Sequence, residues 1–207
     1  MEQLSGLYVI TDEKLIAPDQ FTQTVEQALQ GGARIVQYRD KSQDQAKRHQ
    51  QAQALKQLCE DYNTVLIIND DIELAIKVDA HGVHIGMHDT PLENARRQLQ
   101  NKIIGVSCYN DFELAAQAQQ QGADYIAFGS FFSSSIKPEA NKADVELLIK
   151  AREKLQLPVC AIGGITSDNA AQLIDAGADM LAVITDVFGC DNTKIASEKI
   201  SRLFSQQ

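Results

Sequence analysis

The feature that most constrains the fold of this chain is a regular alternation of short apolar runs with amphipathic helical stripes. Helical stripes carry apolar residues at i, i+3, i+4 and i+7, as Leu55, Leu58, Cys59 and Tyr62 do. The apolar runs that we interpret as strands are residues 7–10, 35–37, 65–68, 82–85, 103–106, 125–128, 158–162 and 180–184. Eight strand–helix units are the number that closes a parallel barrel.

A short repeat before three of the predicted strands supports this regular architecture. Gly32-Ala33-Arg34, Gly122-Ala123-Asp124 and Gly177-Ala178-Asp179 each lie between a predicted helix and the next strand, where glycine ends a helix in the left-handed conformation. A doubly wound open sheet is the alternative, but no GxGxxG motif opens the first unit. We therefore predict a single-domain (β/α)8 TIM barrel over residues 1–207, whose active site lies at the carboxyl ends of the strands.

Composition excludes several function classes. The formal net charge of −9 argues against nonspecific nucleic-acid binding, which requires a basic surface. No segment resembles a signal peptide, and no apolar run is long enough to span a bilayer. The four cysteines are scattered without a CxxC pair, which is typical of free thiols in a reducing cytosol. We expect a cytoplasmic protein with no nucleic-acid or membrane partner.

The polar end of the second predicted strand is the strongest candidate for ligand binding. If the strand remains extended, alternation directs Gln37, Arg39 and Lys41 to the same side. Three converging hydrogen-bond donors suit a phosphate or pyrophosphate better than a solvated turn with random charges. Asn69 after strand three and Lys137 after strand six extend this donor set in a barrel.

Two carboxylates lie close to these cations in the predicted barrel. Asp70 follows strand three and Asp89 follows strand four. They belong either to a structural salt-bridge network or to a magnesium site, since Mg²⁺ takes one or two carboxylates together with substrate phosphates. We favour magnesium, because charged residues at the carboxyl ends of the strands of such a barrel usually belong to the active site.

A second phosphate site is predicted after strand seven. Gly163 and Gly164 allow the backbone to approach an anion, and a helix capped near Ser167 or Asp168 would add its amino-terminal amides. Loops after strands seven and eight often hold phosphate in these barrels.

Histidines and a Ser-Cys pair offer other chemistries. His81, His84 and His88 could suggest a transition-metal site, but we interpret them as surface or packing residues. Ser107 and Cys108 could suggest a nucleophile, but no histidine stands beside them in the sequence.

Taken together, the strand-end motifs resemble the thiamine-phosphate synthase family over nearly the whole chain. They are Leu7-Tyr8-Val9-Ile10-Thr11-Asp12, Gln37-Tyr38-Arg39-Asp40-Lys41, Ile68-Asn69-Asp70, Gly82-Val83-His84-Ile85-Gly86 with Asp89, Gly105-Val106-Ser107, Gly122-Ala123-Asp124-Tyr125, Lys137 and Ala161-Ile162-Gly163-Gly164-Ile165. Each motif alone is modest, whereas their order and spacing are specific.

The resemblance implies a (β/α)8 transferase that joins two small phosphorylated substrates with loss of pyrophosphate. It implies catalytic roles for Lys137, Ser107 and Arg39, and one Mg²⁺ ion on Asp70 and Asp89. The implied site for 4-amino-5-hydroxymethyl-2-methylpyrimidine diphosphate consists of Gln37, Tyr38, Arg39, Asp40, Lys41, Asn69, Ser107 and Lys137. The implied thiazole phosphate site consists of Ser134, Ser135, Ile136, Gly164, Ile184 and Thr185.

The sequence departs from the family pattern at the predicted thiazole site. Ile136 stands where the family has a threonine, and Asp186 follows Thr185 where a small residue is usual. Both differences bear on phosphate affinity more than on the type of reaction.

Two other functions remain open from the sequence. The sister family of thiazole tautomerases has a catalytic histidine at the position of Tyr109. A sensor of phosphorylated ligands would keep the binding residues without turnover. The sequence also leaves open whether the chain forms a homo-oligomer.

Overall fold

Eight parallel strands close into a barrel in chain order, with β8 pairing with β1. The computed structural model describes residues 4–133 and 143–206. The strands are β1 Gly6–Ile10, β2 Ile35–Tyr38, β3 Val65–Asn69, β4 Gly82–Ile85, β5 Ile103–Tyr109, β6 Tyr125–Gly129, β7 Val159–Ile162 and β8 Met180–Val183. The predicted (β/α)8 barrel is confirmed.

Helices surround the barrel, and each returns the chain to the end of the barrel where the next strand begins. They are α1 Phe21–Gln30, α2 Gln45–Asp61, α3 Ile72–Lys77, α4 Leu92–Gln98, α5 Phe112–Gln120, α6 Val145–Lys154, α7 Ala170–Asp175, α8 Thr185–Phe188 and α9 Thr193–Ser201. Short 3-10 helices cover Pro18–Gln20 and Arg202–Gln206. In the described part of the chain, no helix is long and apolar enough to cross a membrane.

Alternation along the strands divides the apolar residues into two cores. Residues such as Leu7, Val36 and Leu66 face outward and pack against the helices. Residues such as Ile35, Ile67 and Met180 face inward and fill the barrel. Because the interior is filled, it cannot serve as a channel, and a ligand can bind only at an end of the barrel.

The amino end of the barrel carries a repeated device that we call the strand clamp. Before β4, β6 and β8, the side chains of His81, Asp124 and Asp179 accept hydrogen bonds from amides of the preceding strand at 2.9, 2.8 and 2.8 Å. The backbone amide of each clamp residue donates to the carbonyl of that same partner residue. The aspartates belong to the Gly-Ala-Asp repeat, so the repeat stabilises neighbouring strands as well as ending helices.

The starts of the helices depend on local capping. Asp111 caps α5 by accepting from the amides of Glu113 and Leu114. The predicted cap of the seventh helix was wrong, because α7 begins only at Ala170, after Asn169. Helix α8 was not predicted, since four residues are too short to give a helical stripe.

Candidate active site

Polar side chains occupy the carboxyl end of the barrel, where the inward-facing positions of the strands change from apolar to polar. On β3, for example, Val65 and Ile67 face the interior, and the next inward position is Asn69. Gln37 on β2, His84 on β4 and Ser107 on β5 are also polar residues at inward positions. Asn69 pairs in register with His84, whereas Gln37 pairs with Ile67 and His84 with Gly105. Alternation thus brings these four side chains together at one mouth.

Arg39 is positioned by the end of β1. Its guanidinium Nη1 lies 3.5 Å from Oδ2 of Asp12, and its backbone amide donates to Oγ1 of Thr11 at 2.8 Å. The Thr11 hydroxyl in turn donates to the carbonyl of Arg39 at 3.1 Å. Thr11 and Asp12 therefore hold the arginine at the mouth, a role that the sequence analysis did not assign to them.

Lys41, Asp70 and Asn69 form a charged cluster at the ends of β2 and β3. The Lys41 ammonium donates to Oδ2 of Asp70, and Asn69 Nδ2 donates to the same oxygen at 2.8 Å. Lys41 and Asp70 are partly exposed, so this ion pair is open to solvent. The predicted convergence of these three residues is observed.

Asp89 lies in the loop after β4, where its Oδ2 accepts from the amide of Gly86 at 2.7 Å. Within the described residues, every hydrogen bond to Asp70 and Asp89 is made through Oδ2, so Oδ1 of each carboxylate can coordinate a cation. No group of three or more metal-ligating side chains occurs there. The chemistry of Asp70 and Asp89 nevertheless fits Mg²⁺, which takes one or two carboxylates and completes its shell with water and other oxygens.

A row of buried hydrogen bonds begins inside the barrel and ends at the charged cluster. The Tyr8 hydroxyl donates to Oε1 of Gln37 at 2.8 Å, and Gln37 Nε2 donates to Oδ1 of Asn69 at 2.9 Å. Tyr8 and Gln37 are buried. Burial of an amide requires that its polar atoms find partners, and this row supplies them.

The same row continues from Tyr8 across the barrel to β5. The Tyr8 hydroxyl lies 2.9 Å from that of Tyr125, which lies 2.9 Å from Nδ1 of His84. His84 Nε2 lies 2.8 Å from Oγ of Ser107. We call the whole row the mouth chain, and its members are Ser107, His84, Tyr125, Tyr8, Gln37, Asn69 and Asp70.

The mouth chain depends on a glycine and on burial. A Cβ at Gly105 would lie 1.9 Å from Cζ of Tyr125, so only glycine leaves room for this ring. Burial lowers the pKa of His84 from 6.5 to about 4, and the negative charge of Asp89 opposes this only in part. Burial likewise raises the pKa of Tyr8 and of Tyr125. All three rings are therefore neutral at neutral pH.

The structure corrects two members of the predicted pyrimidine site. Tyr38 points outward, where its ring packs edge-on against Phe21 and its hydroxyl donates to Gln51 of α2 at 3.0 Å. The Asp40 carboxylate is buried against α2 and pairs with Lys47 at 2.6 Å. Alternation explains both, because residues 38 and 40 face away from the side that carries Gln37, Arg39 and Lys41.

The loop after β7 keeps its predicted backbone but not its predicted helix terminus. Gly163 and Gly164 have φ angles of 103° and 63°, which favour glycine. Asn169 closes the following turn, since its Nδ2 donates to the carbonyl of Gly164 at 3.0 Å and its Oδ1 accepts from the amide of Thr166 at 2.8 Å. Helix α7 starts beyond this turn, so its amides do not adjoin the glycines.

Asp186 introduces a negative charge near this loop. Its Oδ2 accepts from the backbone amide of Ser167 at 3.0 Å. The Ser167 amide was part of the predicted phosphate site, but in the structure it donates to this carboxylate. Ile184 and Thr185 lie at the end of β8, as predicted, and Thr185 is exposed.

Four predicted site residues, Ser134, Ser135, Ile136 and Lys137, lie outside the described residues. Tyr109, the position of the tautomerase histidine, is exposed, has a φ of 55° and accepts from the amide of Met87 at 3.4 Å. It therefore supports the loop that carries Asp89.

The positions of His84, Tyr8 and Tyr125 in the mouth were not predicted from the sequence. His84 had been interpreted as a surface or packing residue, together with His81 and His88. The structure places it at the centre of the mouth, whereas His81 belongs to the strand clamp and His88 is exposed. The available signal was alternation, because His84 is the polar inward residue of an otherwise apolar strand.

Comparisons with known proteins identify the family and the fold of this chain. A family model described as thiamine monophosphate synthase matches residues 7–187. A thiamine-phosphate synthase of Thioalkalivibrio sulfidiphilus is 46% identical and covers 98% of this chain and 97% of its own. One from Thiobacillus denitrificans is 48% identical and covers 98% and 96%. The solved structure of thiamine phosphate pyrophosphorylase from Pyrococcus furiosus superposes with a TM-score of 0.90 at 36% identity, covering 97% and 96%.

Proposed function

The chain belongs to the thiamine monophosphate synthase family, and on that premise we propose that it is a transferase that makes thiamine phosphate. Its substrates are 4-amino-5-hydroxymethyl-2-methylpyrimidine diphosphate and 4-methyl-5-(2-hydroxyethyl)thiazole phosphate. The observation that supports this assignment is the set of charges at the barrel mouth, where Arg39 pairs with Asp12 and Lys41 pairs with Asp70. Residues 1–207 act as one catalytic domain in the cytoplasm.

The proposed reaction needs no protein nucleophile. The bond between the pyrimidine methylene and the diphosphate oxygen breaks, and its electron pair leaves with pyrophosphate. The thiazole nitrogen then donates its lone pair to the methylene cation, which gives the thiazolium product. Positive groups at the mouth stabilise the negative charge that grows on the leaving diphosphate.

The charged residues stabilise the diphosphate in three ways in this scheme. Arg39, oriented by Asp12, grips the diphosphate with its planar donor fork. Lys41 and Lys137 act as point charges on the same group. Asp70 and Asp89 would hold one Mg²⁺ ion, which supplies further positive charge beside the leaving group.

The two organic rings occupy the rest of the mouth. Asn69 and Ser107 line the pyrimidine side, and Gln37 supports Asn69 from below. Gly164, Ile184 and Thr185, with Ser134, Ser135 and Ile136, form the thiazole phosphate site. Asp186 adds a negative charge there, so we expect weaker thiazole phosphate binding than in a variant with a small residue at this position.

The test is release of pyrophosphate and formation of thiamine phosphate when purified protein receives both substrates and Mg²⁺. Asp89→Asn should lower turnover on the order of 100-fold and raise the Mg²⁺ concentration needed for half-maximal rate, because metal charge opposite the leaving group is lost. Asp61→Asn makes the same chemical change at the exposed carboxyl end of α2, and should leave turnover unchanged. Full activity of Asp89→Asn at limiting Mg²⁺ would refute the proposed metal site.

A further inference from the structure

The mouth chain has only one consistent direction of donation. Asp70 is its only acceptor-only member, because an ionised carboxylate has no proton to donate. Asn69 must therefore turn its Nδ2 to Asp70, which leaves its Oδ1 to accept from Gln37. Gln37 in turn presents Oε1 to Tyr8, so the Tyr8 hydroxyl must donate to it.

The hydrogen bonds from Tyr8 to Ser107 are likewise fixed in direction. A hydroxyl has one proton, so Tyr8, having donated to Gln37, can only accept from Tyr125 at 2.9 Å. Tyr125 then accepts from His84, which requires the proton of the neutral imidazole to be on Nδ1. His84 Nε2 is left bare, and Ser107 must donate to it.

The Ser107 hydroxyl can consequently act only as a hydrogen-bond acceptor toward a ligand. Its single proton is directed to His84, and its Oγ stands at the partly exposed end of the row. A ligand group that meets this oxygen must bring a proton. An amino group on a pyrimidine does so, whereas an oxo group at the same ring carbon would set two acceptors against each other.

We propose that the Asp70 carboxylate sets the direction of every hydrogen bond in the mouth chain, so that Ser107 selects a pyrimidine carrying an amino group over its oxo analogue. The ligand half of this inference rests on the proposed function. Tyr8, Tyr125 and His84 are positioning residues, since they act on the ligand only through Ser107. The mouth chain thereby links the proposed metal carboxylate to recognition of the base on the opposite side of the mouth.

Removing the Tyr8 hydroxyl interrupts the mouth chain and tests the direction of its hydrogen bonds without any ligand. In Tyr8→Phe, the Tyr125 hydroxyl loses its acceptor and is expected to donate to His84 Nδ1 instead. The imidazole proton then moves to Nε2, and Ser107 becomes a donor toward the ligand. Tyr38→Phe is the matched control, because it removes a buried tyrosine hydroxyl on β2 that bonds only Gln51 among the described residues.

The first measurement is nitrogen-15 NMR of the histidine side chains in the ligand-free full chain, with His84 assigned by its loss in His84→Gln. Wild type and Tyr38→Phe should show His84 protonated on Nδ1, and Tyr8→Phe should show it protonated on Nε2. Asp70→Asn should leave the proton divided between Nδ1 and Nε2, since an amide at this position can either accept or donate. An Nε2 proton in wild type, or an Nδ1 proton retained in Tyr8→Phe, would overturn the inference.

The second measurement compares binding of the aminopyrimidine diphosphate with that of its oxo analogue. Wild type and Tyr38→Phe should prefer the amino compound by at least about tenfold, and the preference should fall toward unity in Tyr8→Phe. Equal affinities in wild type would overturn the assignment to Ser107. If neither compound binds, the proposed function and the ligand half fail together, while the NMR result still decides the direction.

Discussion

The partly buried, neutral His84 makes the free energy of unfolding depend on pH in a window that can be calculated. Its pKa is about 4 in the folded protein against 6.5 for an ordinary histidine. Between these values the unfolded chain binds a proton that the folded protein does not. Stability from this residue is therefore fully present above pH 6.5 and is lost as the pH falls toward 4.

The size of the effect follows from the two pKa values of His84. At pH 5 the unfolded histidine is almost fully protonated, whereas about a tenth of the folded population is. Integration of the linkage relation from pH 7 to pH 5 gives a loss of about 2 kcal/mol in the free energy of unfolding. That is a large share of the total stability of a typical domain.

The assay is urea unfolding at pH 7 and at pH 5 without magnesium, for wild type and for His84→Gln. Glutamine is neutral at both pH values and keeps one donor and one acceptor, so carboxylates and other histidines cancel in the difference. The stability advantage of wild type over His84→Gln should shrink by about 2 kcal/mol at pH 5. An advantage that stays constant within about 0.5 kcal/mol would show that His84 is not held neutral by burial.

Three further predictions concern turnover. Lys137→Ala should lower the single-turnover rate more than it weakens binding of the pyrimidine diphosphate, because the ammonium acts on charge that grows in the transition state; a defect confined to thiazole binding would contradict this. Gly164→Ala, whose Cβ would lie 2.5 Å from the carbonyl of Ser133, should raise the KM for thiazole phosphate by roughly tenfold. Gly122→Ala is its control, since this residue also has a positive φ, while its Cβ would make only an ordinary contact, 3.9 Å from Nε of Arg96. With Tyr109 in place of a histidine base, the protein should not isomerise the thiazole precursor, which proton exchange measured without pyrimidine would reveal.

The fold could be predicted from the sequence because the barrel repeats one simple pattern. Each strand is a short apolar run, and each helix has its own stripe, so β4, for example, was predicted with its observed bounds. Short elements failed, since α8 spans four residues and the turn before α7 is closed by side chains of Asn169. The hydrogen bonds of Asn169 reach only Gly164 and Thr166, but a turn of this kind has no periodic apolar pattern that would reveal it in the sequence.

The candidate site was predictable where residues follow a strand directly. Arg39, Lys41, Asn69 and Asp70 were found by alternation and by position. The structure joins Lys41, Asn69 and Asp70 by hydrogen bonds, whereas Arg39 pairs with Asp12. Tyr8 could not be found this way, because a tyrosine inside an apolar run is indistinguishable from a core residue. The role of its hydroxyl depends on hydrogen bonds to Gln37 and Tyr125, which are 29 and 117 residues away in the sequence.

The strand clamp has a consequence for how the barrel opens. His81, Asp124 and Asp179 each join an even strand to the odd strand before it, so β3–β4, β5–β6 and β7–β8 are fastened as pairs. Arg34 stands at the same place before β2, and a guanidinium cannot accept a hydrogen bond. Amide hydrogen exchange should therefore reveal three slow, cooperative two-strand units, while opening of the closed sheet begins around β1.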